Sequence, residues 1–393
     1  MAQTWPVTRG KRVALMVVDV VGRVASYVPR QLWPPRPVSG EGIRKILVIE
    51  PWLIGDVVLV TPILQALRER FPLSHISLLA KPHAEVLLMH SGLADEVITV
   101  DFPWTATTGK YRPSRYDRRS IAALVQRLRA SGFDLTIDCR MDIRSNAVAF
   151  ATGAPRRIGY DFGGGSYLLT HTVAAAADDH HKVDDWLRLL EPIDAGGWST
   201  AKSAADFVQR VTPLLRVTEA ERSEAARRLR SLGFADEDLI LGIHPGASQP
   251  RRRWPLEDFA WVADELASRD SIKPLVFLDP ENYGEQMSLK ADAAFVSANL
   301  RELMAMLSHC DLLICNDSGP MHIADALNVP VVGIFTTGNP VWHRPYGERQ
   351  VTVGQGTGHE YFSYPARSEV LRAAERQLDR AKALRAGRIG SVG

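Results

Sequence analysis

The feature that most constrains this chain is a regular alternation of two kinds of segment. Short apolar, largely β-branched runs, such as Lys45-Ile-Leu-Val-Ile49 and Asp311-Leu-Leu-Ile-Cys315, recur between helix-like stretches. A run apolar at nearly every position suits a strand buried on both faces, the condition of a parallel sheet covered by helices. Strands are expected at 45–49, 76–79, 97–100 and 134–137, with helices at 63–70 and 119–130. Helical and strand segments follow around Asn146 and Arg157-Ile158-Gly159. The second half repeats the plan, with strands at 239–243, 275–278, 294–296, 312–315 and 331–335. Its helices are expected at 257–268, 300–308, 321–327 and 368–385. This order predicts an α/β protein of two doubly wound domains, because 393 residues exceed one ordinary core. The stretch 195–221 lacks a clear strand and holds Gly196, Gly197 and Pro213, so the linker is expected there.

Composition removes several classes. A formal net charge of +2 gives no argument for nucleic acid. Cys139, Cys310 and Cys315 sit in apolar contexts and read as small core residues in a reducing compartment, neither a disulfide set nor a metal site. No stretch of about 18 uncharged apolar residues exists, so no membrane span is expected. Residues 13–28 are strongly apolar, yet Arg12, Asp19 and Arg23 fall within about 40° of one another on a helical wheel. The flanks carry Arg9, Lys11, Arg30 and Arg36. Two readings stand: a helix lying in a membrane interface, or one packed on the protein's own surface. Pro29, Pro34, Pro35 and Pro37 make a stiff connector after it.

Ligands of doubly wound domains bind beyond the carboxyl ends of the strands, so the loops there matter most. Glu50-Pro-Trp-Leu-Ile-Gly-Asp56 lacks the Gly-x-Gly-x-x-Gly dinucleotide fingerprint. Its Asp56 stands near a helix start, either capping it or acting as a carboxylate that takes a proton from a substrate hydroxyl. His244-Pro-Gly-Ala-Ser248 runs on to Arg251, Arg252 and Arg253, three cations that repel one another unless anions are near. The planar fork of arginine suits a diphosphate. Leu278-Asp-Pro-Glu-Asn-Tyr-Gly-Glu285 is a polar turn of low specificity. Asn316-Asp-Ser-Gly-Pro-Met-His322 joins a buried strand to a helix and offers backbone N–H groups to a phosphate. The cluster Asp178-Asp-His-His-Lys-Val-Asp-Asp185 lacks the i, i+4 histidine spacing of a zinc site and reads as a solvated helix start.

These motifs together resemble glycosyltransferase family 9, the ADP-heptose:lipopolysaccharide heptosyltransferases and their relatives. The residues that carry the resemblance are Ile46-Leu-Val-Ile with Gly55-Asp56 and Thr61-Pro62, His244-Pro-Gly-Ala-Ser248 with Arg253-Trp-Pro255, and the Asn316–His322 turn with Ala326. The resemblance implies a GT-B fold, two Rossmann-like domains facing across a cleft, and metal-independent sugar transfer with inversion. With the amphipathic extension read at 1–40, it gives an acceptor domain at 41–200, a donor domain at 201–365, and a C-terminal helix and tail at 366–393. Asp56 matches the family's proposed general base. Ser248 and Arg252 match positions that contact the donor diphosphate. Asp317, Ser318, Gly319 and His322 match the nucleotide-sugar turn. His181 and Lys182 fall on the acceptor side. The donor is a substrate, an ADP-sugar by the family's example, and no cofactor is expected. The acceptor would be a lipopolysaccharide-core or other envelope glycan, reached in the cytoplasm or peripherally on the inner membrane face. The segment Phe335-Thr-Thr-Gly-Asn339 and the Trp52-Leu-Ile54 segment depart from the family pattern. A sugar-nucleotide epimerase of the same fold, or a non-catalytic nucleotide-sugar-binding partner of an envelope complex, are the alternatives.

Overall fold

The computed structural model describes residues 37–38, 42–106, 117–175, 180–193, 201–269, 271–347, 350–354 and 363–389, with Val17, Val20, Val21, Gly22 and Val24. Those five are helical, and the four valines are exposed. The rest of the N-terminal segment, with most of the proline connector, lies outside the described residues, as do Asp178 and Asp179. The chain divides into two compact units, Met1–Phe207 and Val208–Gly393.

The first unit is built on six parallel strands: β1 (Lys45–Ile49), β2 (His75–Ala80), β3 (Glu96–Thr99), β4 (Leu135–Asp138), β5 (Arg156–Tyr160) and β6 (His171–Val173). Their spatial order is β3-β2-β1-β4-β5-β6. The second unit repeats this with β7 (Leu239–His244), β8 (Ile272–Phe277), β9 (Ala294–Val296), β10 (Leu312–Asn316), β11 (Val331–Ile334) and β12 (Gln350–Val353), in the order β12-β11-β10-β7-β8-β9. Each is the doubly wound order, whose direction reverses at one point: between β1 and β4 in the first sheet, between β7 and β10 in the second. Both central strands read as continuous apolar runs because helices cover both faces. Ile46, Leu47, Val48 and Ile49 have no exposed surface.

The expected central strands are present to within a few residues. The edge strands β6 and β12 were not foreseen. They are short, and three of four β12 residues are only partly buried, so the apolar run that marks an inner strand is missing. One other expectation gains detail and one is corrected. The stretch taken as linker contains a helix, Ala201–Val211, and the division between units falls inside it. The segment read as a solvated helix start does begin a helix, Lys182–Arg188, but it is buried: His181, Asp184 and Asp185 are less than a tenth exposed. Trp186 and Leu187 pull that turn inward, and Trp186 Nε1 donates to the Cys139 carbonyl at 2.7 Å.

Each unit has its own core. Leu47, Ile49, Leu79, Ile98, Phe102, Leu128 and Phe133 gather in the first. Leu241, Ile243, Trp254, Phe259, Val276, Ile314 and Ile334 gather in the second. The C-terminal helix Arg367–Ile389 supplies Val370, Ala374 and Leu378 to the second core. All three cysteines carry free, buried thiols.

Candidate active site

In the second unit the loops after β7 and β10 leave the sheet side by side, because Cys315 pairs in register with His244. Asn316, at the end of β10, has no exposed surface and ties the two loops together. Its side-chain amide donates to the Pro245 carbonyl at 2.7 Å, and its oxygen accepts the Trp254 N–H at 3.0 Å. Trp254, fully buried, in turn donates from its indole to the Pro365 carbonyl at 3.1 Å and stacks edge-on against Phe259.

The next residues open the helix Gly319–Ala326. Ser318 is its N-cap in extended conformation, and Pro320 sits in the first turn, where a missing N–H costs nothing. Sequence periodicity started this helix at 321, two residues late, since Gly and Pro read as breakers. The N–H groups of that first turn have no partner within the helix. Arg252 Nη1 lies 3.0 Å from Asp317 Oδ2, and the Asp317 side chain is almost wholly buried. Arg252 Nε is buried and makes no hydrogen bond. His322 is buried, and Ser248 is exposed. His244 is held well below the usual histidine range, at about 4, because it is buried; Ser318 Oγ stands 3.4 Å from its Nδ1. The three adjacent arginines have separate partners, Arg252 with Asp317 among them. Arg251 donates to Gln249 Oε1, while Arg253 donates to the Ala247 carbonyl and Glu281 and lies 4.4 Å over the Tyr283 ring. Carboxylate and aromatic partners therefore relieve the repulsion read from the sequence.

In the first unit Ile49 pairs in register with Asp138, so the loops after β1 and β4 also emerge together. Asp56 lies in the helix Ile54–Leu59, and its Oδ2 accepts the Leu53 N–H at 3.3 Å. The capping role considered for it is therefore present. Its Oδ1 also receives Arg140 Nη1 at 3.2 Å, and the same Nη1 reaches Glu50 Oε1 at 3.3 Å. The guanidinium lies 4.6 Å over the Trp52 ring. Glu50 and Asp138 are both fully buried, and burial pushes each carboxyl up to about 8. Lys182 is lowered, first by burial and next by Arg140. His181 does not project freely: its Nδ1 caps its own helix by accepting the Val183 N–H at 3.1 Å. Among the described residues no group of three or more His, Cys, Asp or Glu side chains is arranged to hold a metal.

Residues 121–367 match the profile of glycosyltransferase family 9 (heptosyltransferase), well over half of the chain. The chain belongs to glycosyltransferase family 9. It is thus a glycosyltransferase, and its two parallel sheets have the α/β two-domain architecture of the GT-B class. It is 24% identical over 329 residues to lipopolysaccharide heptosyltransferase 2 of Escherichia coli K12, covering 80% of this chain and 89% of that protein. The glycosyl transferase family 9 structure from Veillonella parvula superposes with a TM-score of 0.71 at 23% identity, over 88% of this chain and 99% of the other. The E. coli ADP-heptose lps heptosyltransferase II structure gives 0.66 at 22% identity, over 86% and 99%.

Within this family member the structure brings Arg252, Asp317, Ser318 and Gly319 together in the second unit, with Arg252 paired to Asp317. It brings Asp56 into one charge cluster with Lys182 in the first. Sequence reasoning missed three members of that cluster. Glu50, Asp138 and Arg140 are distant in sequence or lie just past a strand end, and only their position after β1 and β4 singles them out.

Proposed function

We propose that this enzyme transfers a heptose or related sugar from an ADP-sugar to a lipopolysaccharide-core or similar envelope glycan, with inversion and without a metal. The observation that carries the donor half is the Arg252–Asp317 pair at the start of the helix Gly319–Ala326. A guanidinium with a buried, unused N–H beside a helix N-terminus is built to grip a diphosphate. The names of the relatives, heptosyltransferases of lipopolysaccharide, supply the donor and acceptor class.

In this reading Asp56 accepts the proton of an acceptor hydroxyl. The oxygen bonds to the anomeric carbon from the face opposite the diphosphate, and the bond from that carbon to the diphosphate oxygen breaks. ADP leaves with the electron pair. The charge that grows on it is stabilised by Arg252, Ser318, the Gly319 N–H and the helix N-terminus, with Ser248 and His322 at the donor's edge. Asp317 holds Arg252 in place. Lys182 and His181 belong to the acceptor side.

The test is turnover of ADP-heptose with a delipidated core acceptor, with the product anomer read by NMR and chelator added in a parallel run. Glycosyl product of inverted configuration, unaffected by chelator, is expected. Consumption of ADP-heptose without acceptor would replace transfer by an epimerase or hydrolase activity. Asp56→Asn should lose about 10²–10⁴-fold in kcat; wild-type turnover removes Asp56 from the role.

The segment 1–40 carries six Lys and Arg against one acid, Asp19, and the exposed valines 17, 20, 21 and 24 lie on one helical face. It is proposed to dock on an anionic membrane leaflet. Deleting it should abolish co-sedimentation with phosphatidylglycerol vesicles, and retained sedimentation would overturn the idea.

A further inference from the structure

One nitrogen of Arg140 serves two carboxylates. Its Nη1 lies 3.2 Å from Asp56 and 3.3 Å from Glu50, and the guanidinium rests on Trp52. Glu50 follows β1 directly and has no exposed surface; its second oxygen is buried and makes no hydrogen bond. It stands at the end of a central strand, where a buried anion costs several kcal/mol unless it is paired. Its position lets it draw on the same Arg140 nitrogen as Asp56 and share that guanidinium's charge.

We propose that Arg140 is a positioning residue for Asp56 and that Glu50 governs its grip, an ionised Glu50 drawing the guanidinium away from Asp56. The inference rests on the reading of Asp56 as the base. With Glu50 neutral, the guanidinium charge is left to Asp56, whose carboxylate is pinned between Arg140 Nη1 and the Leu53 N–H with a lone pair left for the acceptor proton. With Glu50 ionised, the guanidinium charge is divided between two carboxylates and Asp56 is held less firmly.

The groups that face this pair come from every neighbouring element. Arg140, Asp56 and Asp138 act on Glu50. Lys182 faces Arg140, Asp56 and Glu50, and is itself faced by Asp185. Asp142 faces Arg140, His83 faces Asp56 and Lys81, and the buried Cys139 thiol faces Glu50 and Asp138. Glu50 is pushed up to about 8 by burial, so it exchanges its proton just above neutrality. Asp138 is raised to about 8 for the same reason and titrates in the same range.

The test compares the ratio of kcat at about pH 9.5 to kcat at about pH 7, within each variant, using ADP-heptose and a delipidated core acceptor. The wild-type ratio should fall well below one. In Glu50→Gln, which keeps an oxygen for Arg140 and cannot ionise, the ratio should return close to one. A fall of equal size in Glu50→Gln would assign the limb to Asp138 or Lys182 and overturn the inference. Arg140→Met should lower kcat about 10²-fold with ADP affinity unchanged, and Arg140→Lys should restore part of it. Unaltered kcat in a folded Arg140→Met protein would also refute it. Asp56→Asn separates the two levels: if it retains turnover the base reading falls, whereas an inactive Asp56→Asn beside a pH-insensitive wild type removes only the positioning of Asp56 by Arg140 and Glu50.

Discussion

Replacing Asn316 by alanine tests the logic of the donor-side loops most sharply. The side chain has no exposed surface and makes two hydrogen bonds, to the Pro245 carbonyl at 2.7 Å and from the Trp254 N–H at 3.0 Å. Alanine removes both partners at once and leaves a carbonyl and an N–H in a place water does not reach. Each unsatisfied buried group costs about 1–3 kcal/mol, so the expected loss is about 2–6 kcal/mol. For a unit of this size one kcal/mol moves the midpoint by about 2–4 °C. Calorimetry of the full chain should show the transition of the Val208–Gly393 unit lowered by roughly 4–24 °C, with that of the other unit little changed. Asn316→Asp should fall between, because it still accepts from Trp254 but no longer donates to Pro245. ADP binding should weaken as well, since the loops that carry Arg252 and Asp317 lose their tie. A midpoint for Asn316→Ala within a degree or so of wild type would show that the two loops are held by something other than this side chain.

Three other outcomes follow from the same structure. Arg252→Ala should weaken ADP binding about 10–150-fold by calorimetry, the worth of a charge-assisted hydrogen bond of about 1.5–3 kcal/mol; an unchanged Kd would exclude Arg252 from the diphosphate site. His244, lowered to about 4 from 6.5 by burial, is neutral in the folded state while the unfolded chain takes up a proton as pH falls below 6.5. Stability must therefore drop on acidification, by about 2 kcal/mol between pH 6.5 and 5, and His244→Asn should remove that increment in urea titrations; an identical pH dependence in the variant would show that His244 is not the group. Gly246→Ala would place a Cβ 2.5 Å from Asp279 Oδ2, on the carboxylate that caps the Glu281 and Tyr283 N–H groups. A loss of about 1–3 kcal/mol is expected, and a neutral substitution would mean that the Asp279 turn yields freely.

The proposed donor side was legible because its chemistry is written contiguously. Asn316 to His322 runs through strand end, N-cap and first helical turn without a break, so residue order alone places a Gly-bearing turn at a helix start. Asn316 itself was read only as part of that turn, and its task of tying two loops became visible from its partners at Pro245 and Trp254. The arginine run showed the limit of local reading. Three adjacent cations looked mutually repulsive, but the backbone turn Pro250–Arg252 sends each to a different partner. The described part of the Asp178–Asp185 segment, from His180 on, was misread as solvated for a similar reason. Its polar letters hid Trp186 and Leu187, whose burial carries His181 and Asp185 inward with them.

Sequence alone determined the architecture of this glycosyltransferase and marked out half of its candidate site. Apolar runs of strand length, alternating with helices, leave little choice but parallel sheets covered on both faces, and a glycine-bearing turn at a helix start is a local event of consecutive residues. Only the tertiary structure decided the other half. Glu50, Asp138 and Arg140 converge because β1 and β4 lie adjacent and parallel in the sheet, with Ile49 opposite Asp138. That pairing buries the carboxyls of Glu50 and Asp138, raises both, and stretches one guanidinium between Glu50 and the proposed base. Strand pairing across some 90 residues leaves no periodic trace in the chain, so this cluster appears only once the sheet is assembled.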